Sequence, residues 1–140
     1  MRKILRVDVG KGECLFEDLP SEFARLGGRG LTSGLISKEV DPLCHPLGPR
    51  NKLVIAPGSL SGTTSPCSQR VSVGTKSPLT GGIKESNSGG ISGQKLGRLG
   101  IAAIVLEGKV QPGKLYTLHV SKDGARREDA SSLKGKGDSP

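Results

Sequence analysis

The hydrophobic pattern of this chain switches repeatedly between strand and helix spacing. Leu5, Val7 and Val9 alternate with Ile4, Arg6 and Asp8, which predicts a strand over 3–9. Gly10-Lys11-Gly12 then turns the chain into a second strand around 13–16, completing a hairpin. Pro20-Ser21 opens a short helix through Phe23 and Leu26, which Gly27-Gly28-Arg29-Gly30 interrupts. Leu31, Leu35, Ile36 and Val40 share one face of a helix that Asp41-Pro42 ends. A Pro-rich loop over 43–51 leads to a buried strand over 52–56 and then to a long small-residue loop over 57–69. Strands over 70–74 and 83–85 flank a turn at 77–82. Asn87-Ser88-Gly89-Gly90 leads into a helix over about 91–99, the most apolar strand follows over 101–106, and a further alternating strand covers 114–120. Past Arg126 the periodicity is lost, so 1–130 reads as the domain and 131–140 as a tail or the start of a linker. Gly-rich turn, helix and strand follow one another twice, over 28–56 and 89–106, which favours an α+β domain with an internal pseudo-repeat.

At 140 residues the chain suits one domain able to build a core without staples. That core must be aliphatic, because there is no Trp, one Tyr and two Phe. The 22 glycines imply tight turns and close backbone approaches. No apolar run reaches the ~18 residues of a membrane span. The N-terminus turns polar too early for a signal peptide, so a cytoplasmic chain with no membrane partner is expected.

The net charge of +8 is unevenly placed. Between Pro42 and Leu106 the cations Arg50, Lys52, Arg70, Lys76, Lys84, Lys95 and Arg98 face a single acid, Glu85. A basic, Gly-rich middle has what an anion-binding surface needs, charge and close backbone approach. Nucleic acid is disfavoured as that anion, because the segment has no aromatic side chain for bases to stack on.

Motifs for a complete enzyme site are missing. Gly28-x-Gly30-x-x-x-Gly34 has one residue too many for a dinucleotide fingerprint, and Gly74-Thr75-Lys76-Ser77 lacks the Gly-Lys step of a phosphate-cradling loop. Cys14, Cys44 and Cys67 contain no C-x-x-C pair, so they read as structural thiols rather than metal ligands within this chain. Cys44 and His45 are neighbours in a Pro-flanked turn, a poor setting for a dyad, and His119 falls in a strand pattern. Two positions stand out for anions. Arg70 could offer its planar fork to a phosphate, and Asn87 with Gly89 precedes a predicted helix whose free amides would favour one. The plainer readings are a surface cation and a helix cap.

Gly27-Gly28-Arg29-Gly30-Leu31, Asp41-Pro42, Asn51-Lys52-Leu53-Val54-Ile55-Ala56, Gly58-x-Leu60-x-Gly62-Thr63, Thr75-Lys76-Ser77-Pro78-Leu79-Thr80-Gly81, Asn87-Ser88-Gly89-Gly90 and Ile104-Val105-Leu106-Glu107-Gly108 occur in order. In them the chain resembles the N-terminal domain of the tungsten-containing aldehyde ferredoxin oxidoreductases, over roughly residues 2 to 130. The resemblance implies an α+β fold, a pseudo-duplicated β-sheet sandwich with two or three short helices. It implies a base for a bis-pterin cofactor of tungsten, or molybdenum, contacted by Arg70. Asn87, through its main-chain carbonyl, and Gly89 would help hold the magnesium that bridges the two pterin phosphates. Later domains in the family bind a 4Fe-4S cluster and the aldehyde, and ferredoxin accepts the electrons. This chain alone would then be inactive, and the oligomeric state is left open. Cys67-Ser68-Gln69 is bulkier and Lys84-Glu85 more polar than the family pattern. The alternative is a stand-alone module for phosphorylated small molecules, without redox chemistry.

Overall fold

The computed structural model describes residues 2–137. Six strands form one sheet: β1 (Lys3–Asp8), β2 (Cys14–Asp18), β3 (Leu53–Pro57), β4 (Val71–Lys76), β5 (Ile83–Ser88) and β6 (Ile101–Glu107). Their order across the sheet is β2-β1-β6-β3-β4-β5, with β1 and β6 parallel and every other neighbour antiparallel. Helices α1 (Gly28–Glu39) and α2 (Ser92–Arg98) precede β3 and β6, which lie side by side at the sheet centre. The twofold helix-then-strand order seen in the sequence is therefore kept in the fold. A separate hairpin, β7 (Tyr116–Ser121) and β8 (Gly124–Asp129), completes the α+β architecture.

Alternation along the strands feeds two cores, one on each face of the sheet. On one face Ile4, Val54, Ala56 and Val105 meet Phe23 and the Leu31, Leu35, Ile36 stripe of α1. A register shift in the β1–β6 pairing lets Ala102 and Ala103 both join this side. On the other face Leu5, Val7, Ile101 and Ile104 pack beneath Leu96 and Leu99 from the α2 segment and Leu118, Val120 and Ala125 from the hairpin. Small and branched aliphatics fill both cores, as the near absence of aromatics requires.

The differences from the sequence expectation have local causes. The helix expected over 20–26 is a single 3-10 turn, Ser21–Phe23. Of the glycines expected to interrupt it, Gly27 caps α1 and Gly28 and Gly30 lie in its first turn; further along the helix, Gly34 leaves room for the ring of Phe23. Strand β8 was missed because its sequence, GARRED, carries no apolar alternation. The expected tail begins with a 3-10 turn, Ser131–Leu133, and 138–140 lie outside the described residues.

Arg127 fastens the hairpin to the main sheet. Its Nη1 donates to the carbonyls of Val9 at 2.5 Å and Gly10 at 3.0 Å, and its guanidinium stacks on Tyr116, 3.9 Å from the ring centroid. Arg127→Ala is expected to cost about 1–2 kcal/mol and to speed amide exchange across β7 and β8 ahead of the rest. Uniform exchange rates in wild type and variant would show that the hydrophobic contacts alone dock the hairpin.

Candidate functional site

Arg70, Asn87 and Gly89 meet at one end of the sheet. Arg70 directly precedes β4, Asn87 lies in β5 opposite Ser72, and Gly89 directly follows β5. Side chains two apart on a strand share a face, so Arg70 and Ser72 point the same way, toward the α1 side. Arg70 Nε donates to Asn87 Oδ1, and Asn87 Nδ2 donates to Ser72 Oγ at 3.1 Å. A side chain at Gly89 would begin 3.7 Å from Arg70 Nη1, so the missing Cβ leaves the guanidinium open on that side. Arg70, Asn87 and Gly89 are all exposed, whereas Ser72 is buried. Asn87 is not a helix cap, since Ile91 holds the cap position of α2.

The start of α1 closes the group on the side of the sheet that Ser72 faces. Gly28 takes a left-handed conformation (φ +52°), and a Cβ there would sit 3.4 Å from Ser72 Oγ. No side chain caps α1, and no acid occurs in its first turn. Glu85 supplies the missing negative charge from β5, with Arg29 Nε donating to its Oε2 at 3.1 Å. Its side chain is only 9% exposed, and Oε1 is buried without a regular hydrogen bond. The Ser72 hydroxyl holds the Glu85 carboxyl below the usual carboxylate range; burial opposes this, and Arg29 and Asn87 reinforce it. Glu85 was legible beforehand only as the one acid in a basic segment.

The long loop over 58–69 is held from two sides by helix glycines. A Cβ at Gly27 would fall 2.3 Å from Ser59 N, and one at Gly97 would fall 2.0 Å from Ser61 O. Inside the loop Ser61 Oγ donates to Ser68 O, and Ser68 Oγ donates to Ser65 O at 2.8 Å. Gly97→Ala is expected to force α2 away from the loop and cost about 1–3 kcal/mol, read as a lower melting temperature. An unchanged melting temperature would mean that the contact yields freely.

Other residues singled out in the sequence lie elsewhere. Lys76 is buried, and its Nζ donates to the Pro42 carbonyl and to that of Cys44 at 2.7 Å, so it ties down the loop after α1 and does not face the Arg70 group. Cys44 lies in the core, while His45 is exposed and its Nδ1 accepts from Leu47 N at 3.2 Å, so the two do not form a dyad. His119 is exposed on β7.

An exposed guanidinium beside a glycine, with its Nε already engaged, suits a phosphate group approaching from outside the sheet. The family described as aldehyde ferredoxin oxidoreductase, N-terminal domain, matches residues 4–139. The tungsten-containing aldehyde ferredoxin oxidoreductase of Thermococcus kodakarensis is 46% identical over 136 residues, covering 96% of this chain and 22% of that protein. The Pyrococcus furiosus protein of the same name is 43% identical over the same share. Among solved structures, the active-site complex BamBC of benzoyl coenzyme A reductase with 1,5-dienoyl-CoA superposes with a TM-score of 0.90 at 34% identity, over 96% of this chain and 21% of that one. The chain thus spans about a fifth of the length of these proteins.

Proposed function

The chain belongs to the aldehyde ferredoxin oxidoreductase N-terminal domain family, and on that premise we propose that its Arg70 end anchors a tungsten-pterin cofactor within a longer oxidoreductase. The observation that carries this reading is the convergence of exposed Arg70, Asn87 and Gly89 at one sheet end. Arg70 would pair with a pterin phosphate through its terminal guanidinium nitrogens. The main-chain carbonyl of Asn87, with the backbone at Gly89, would hold a magnesium ion between two such phosphates, as hard oxygen donors suit that cation. When bound, the tungsten, or molybdenum, centre supplies two-electron redox chemistry, and the protein supplies orientation and electrostatics.

In the whole protein this reading makes water and an aldehyde into a carboxylic acid, releasing two protons and two electrons. The electrons would pass through a 4Fe-4S cluster held by later domains to ferredoxin, in the cytoplasm. Residues 1–130 would form the cofactor base, and 131–140 would lead toward those later domains. No helix among the described residues is long and apolar enough to cross a membrane. The relatives with the stated identities are named for aldehydes, whereas the solved neighbour is a benzoyl coenzyme A reductase. Proteins named for different substrates thus share this domain's fold.

Metal analysis of the full-length protein from its natural host tests the proposal. About one tungsten and about four iron atoms per chain are expected. A full-length protein with neither metal would overturn the redox reading and leave a phosphate-binding module.

A further inference from the structure

We infer that Gly93, in the first turn of α2, is a positioning residue for Arg70: its bare backbone sets where Arg70 stands relative to Asn87 and Gly89. The geometry stands by itself, whereas its consequence for a ligand rests on the phosphate reading of that site. The β4–β5 ladder stops short of the site. Its last pair there is Val71 with Ser88, so Arg70 and Gly89 come one step beyond it and the pairing no longer fixes their separation.

The first turn of α2 meets both strand ends. Only Gly90 and Ile91 separate Gly89 from Ser92, where α2 begins, and Gly90 makes that turn in a left-handed conformation (φ +105°). On the other strand, a Cβ at Gly93 would fall 2.2 Å from Gln69 O and 2.9 Å from Arg70 O. Gly93 is buried, so the helix backbone lies directly on the main chain that carries Arg70. Arg70 O also accepts from Gly58 N at 3.3 Å, which ties the same main chain to the end of β3. Gly97, one turn further on, makes the matching approach to Ser61 O, so one face of α2 lies along the backbone of 61–70.

A methyl group at Gly93 must part the two backbones by about 1 Å. Arg70 would then shift while Asn87 stays on its ladder opposite Ser72. The hydrogen bond from Arg70 Nε to Asn87 Oδ1 would be broken or weakened. A magnesium-bound phosphate would no longer find the guanidinium and the Gly89 backbone at matched distances, and a misplacement of ~1 Å weakens such a constellation strongly.

Gly93→Ala is compared with the wild-type 140-residue chain and with Arg127→Ala, which loosens the hairpin at the other end of the sheet. One readout is the slowly exchanging Nε–H signal of Arg70 in 15N NMR, identified by its absence in Arg70→Lys. The other is affinity for magnesium pyrophosphate by calorimetry, well below the melting temperatures, and only this readout rests on the proposed function. Gly93→Ala should lose the protected Nε–H signal and bind pyrophosphate about tenfold more weakly. Arg127→Ala, although less stable than wild type, should keep both.

An unchanged signal in folded Gly93→Ala, or equal losses in Arg127→Ala, would overturn the positioning role. Should Gly93→Ala fail to fold, Gly97→Ala, which moves the same helix off the same segment, decides the question by the same two readouts. If the signal is lost in Gly93→Ala alone but wild-type protein ignores pyrophosphate, the positioning role stands and the phosphate reading of the site falls.

Discussion

Replacing Arg70 by alanine in the full-length protein is expected to yield a folded chain that purifies with little tungsten. Arg70 is exposed and outside both cores, so the fold loses almost nothing when it is truncated. What disappears is a charge-assisted hydrogen bond to a phosphate, worth about 1.5–3 kcal/mol, or about ten- to hundredfold in retention of the cofactor. Asn87→Ala removes the acceptor of Arg70 Nε but keeps the main-chain carbonyl, so its loss of metal should be milder. Tungsten per chain, measured beside the melting temperature, separates the two effects. Equal tungsten in wild type and Arg70→Ala would remove Arg70 from the site.

Acid should weaken the fold through one cluster at the opposite end of the sheet. There Arg6 grips both oxygens of Glu39 at 2.7 and 2.8 Å and reaches Glu17 at 2.6 Å. Lys52 Nζ bridges Glu39 at 2.8 Å and Glu107 at 2.9 Å, so β1, β3, β6 and α1 are pinned together. The hydrogen bonds from Arg6 first, against the effect of burial, and then those from Lys52 bring the Glu39 carboxyl down to about 2. Burial lowers the Lys52 ammonium, but its bonds to Glu39 and Glu107 outweigh this and raise it.

A carboxyl depressed in the folded state stabilises the fold fully above its unfolded value of 4.5, and that contribution is lost as pH falls through about 2. Glu39→Gln should therefore cost about 2 kcal/mol at neutral pH, less than the ~3–5 of a fully buried pair because water still reaches the group. The difference between variant and wild type should shrink between pH 5 and about 2 as the wild-type carboxyl is protonated. Melting temperatures measured across that range would refute this if the two curves stayed parallel.

Sheet strands with alternating or continuous apolar runs were legible in the sequence, since burial on one or both faces leaves that mark. The run Ile101–Leu106 showed its central place directly. GARRED did not, because the hairpin it completes is held by Leu118, Val120 and Ala125 and by Arg127, and its other positions face solvent. Gly27, Gly28 and Gly30 read as helix breakers in isolation, whereas Gly27 approaches the Ser59 backbone too closely for a side chain and Gly28 takes a left-handed conformation. Arg70 and Asn87 could be named from their sequence, but their contact could not. It depends on the register that sets Ser72 opposite Asn87, and a shift of one residue would turn Asn87 to the other face. Glu85 was visible only as an isolated acid, because its pairing with Arg29 is made on the α1 side of β5.

Crystals of the full-length protein, measured at the tungsten absorption edge, would locate the metal directly. The anomalous peak is expected above the sheet end that carries Arg70, Asn87 and Gly89, with a pterin phosphate on the Arg70 guanidinium. A tungsten peak at the far end, by Glu39 and Lys52, or in a domain that leaves Arg70 in solvent, would contradict the assignment of this chain as the cofactor base.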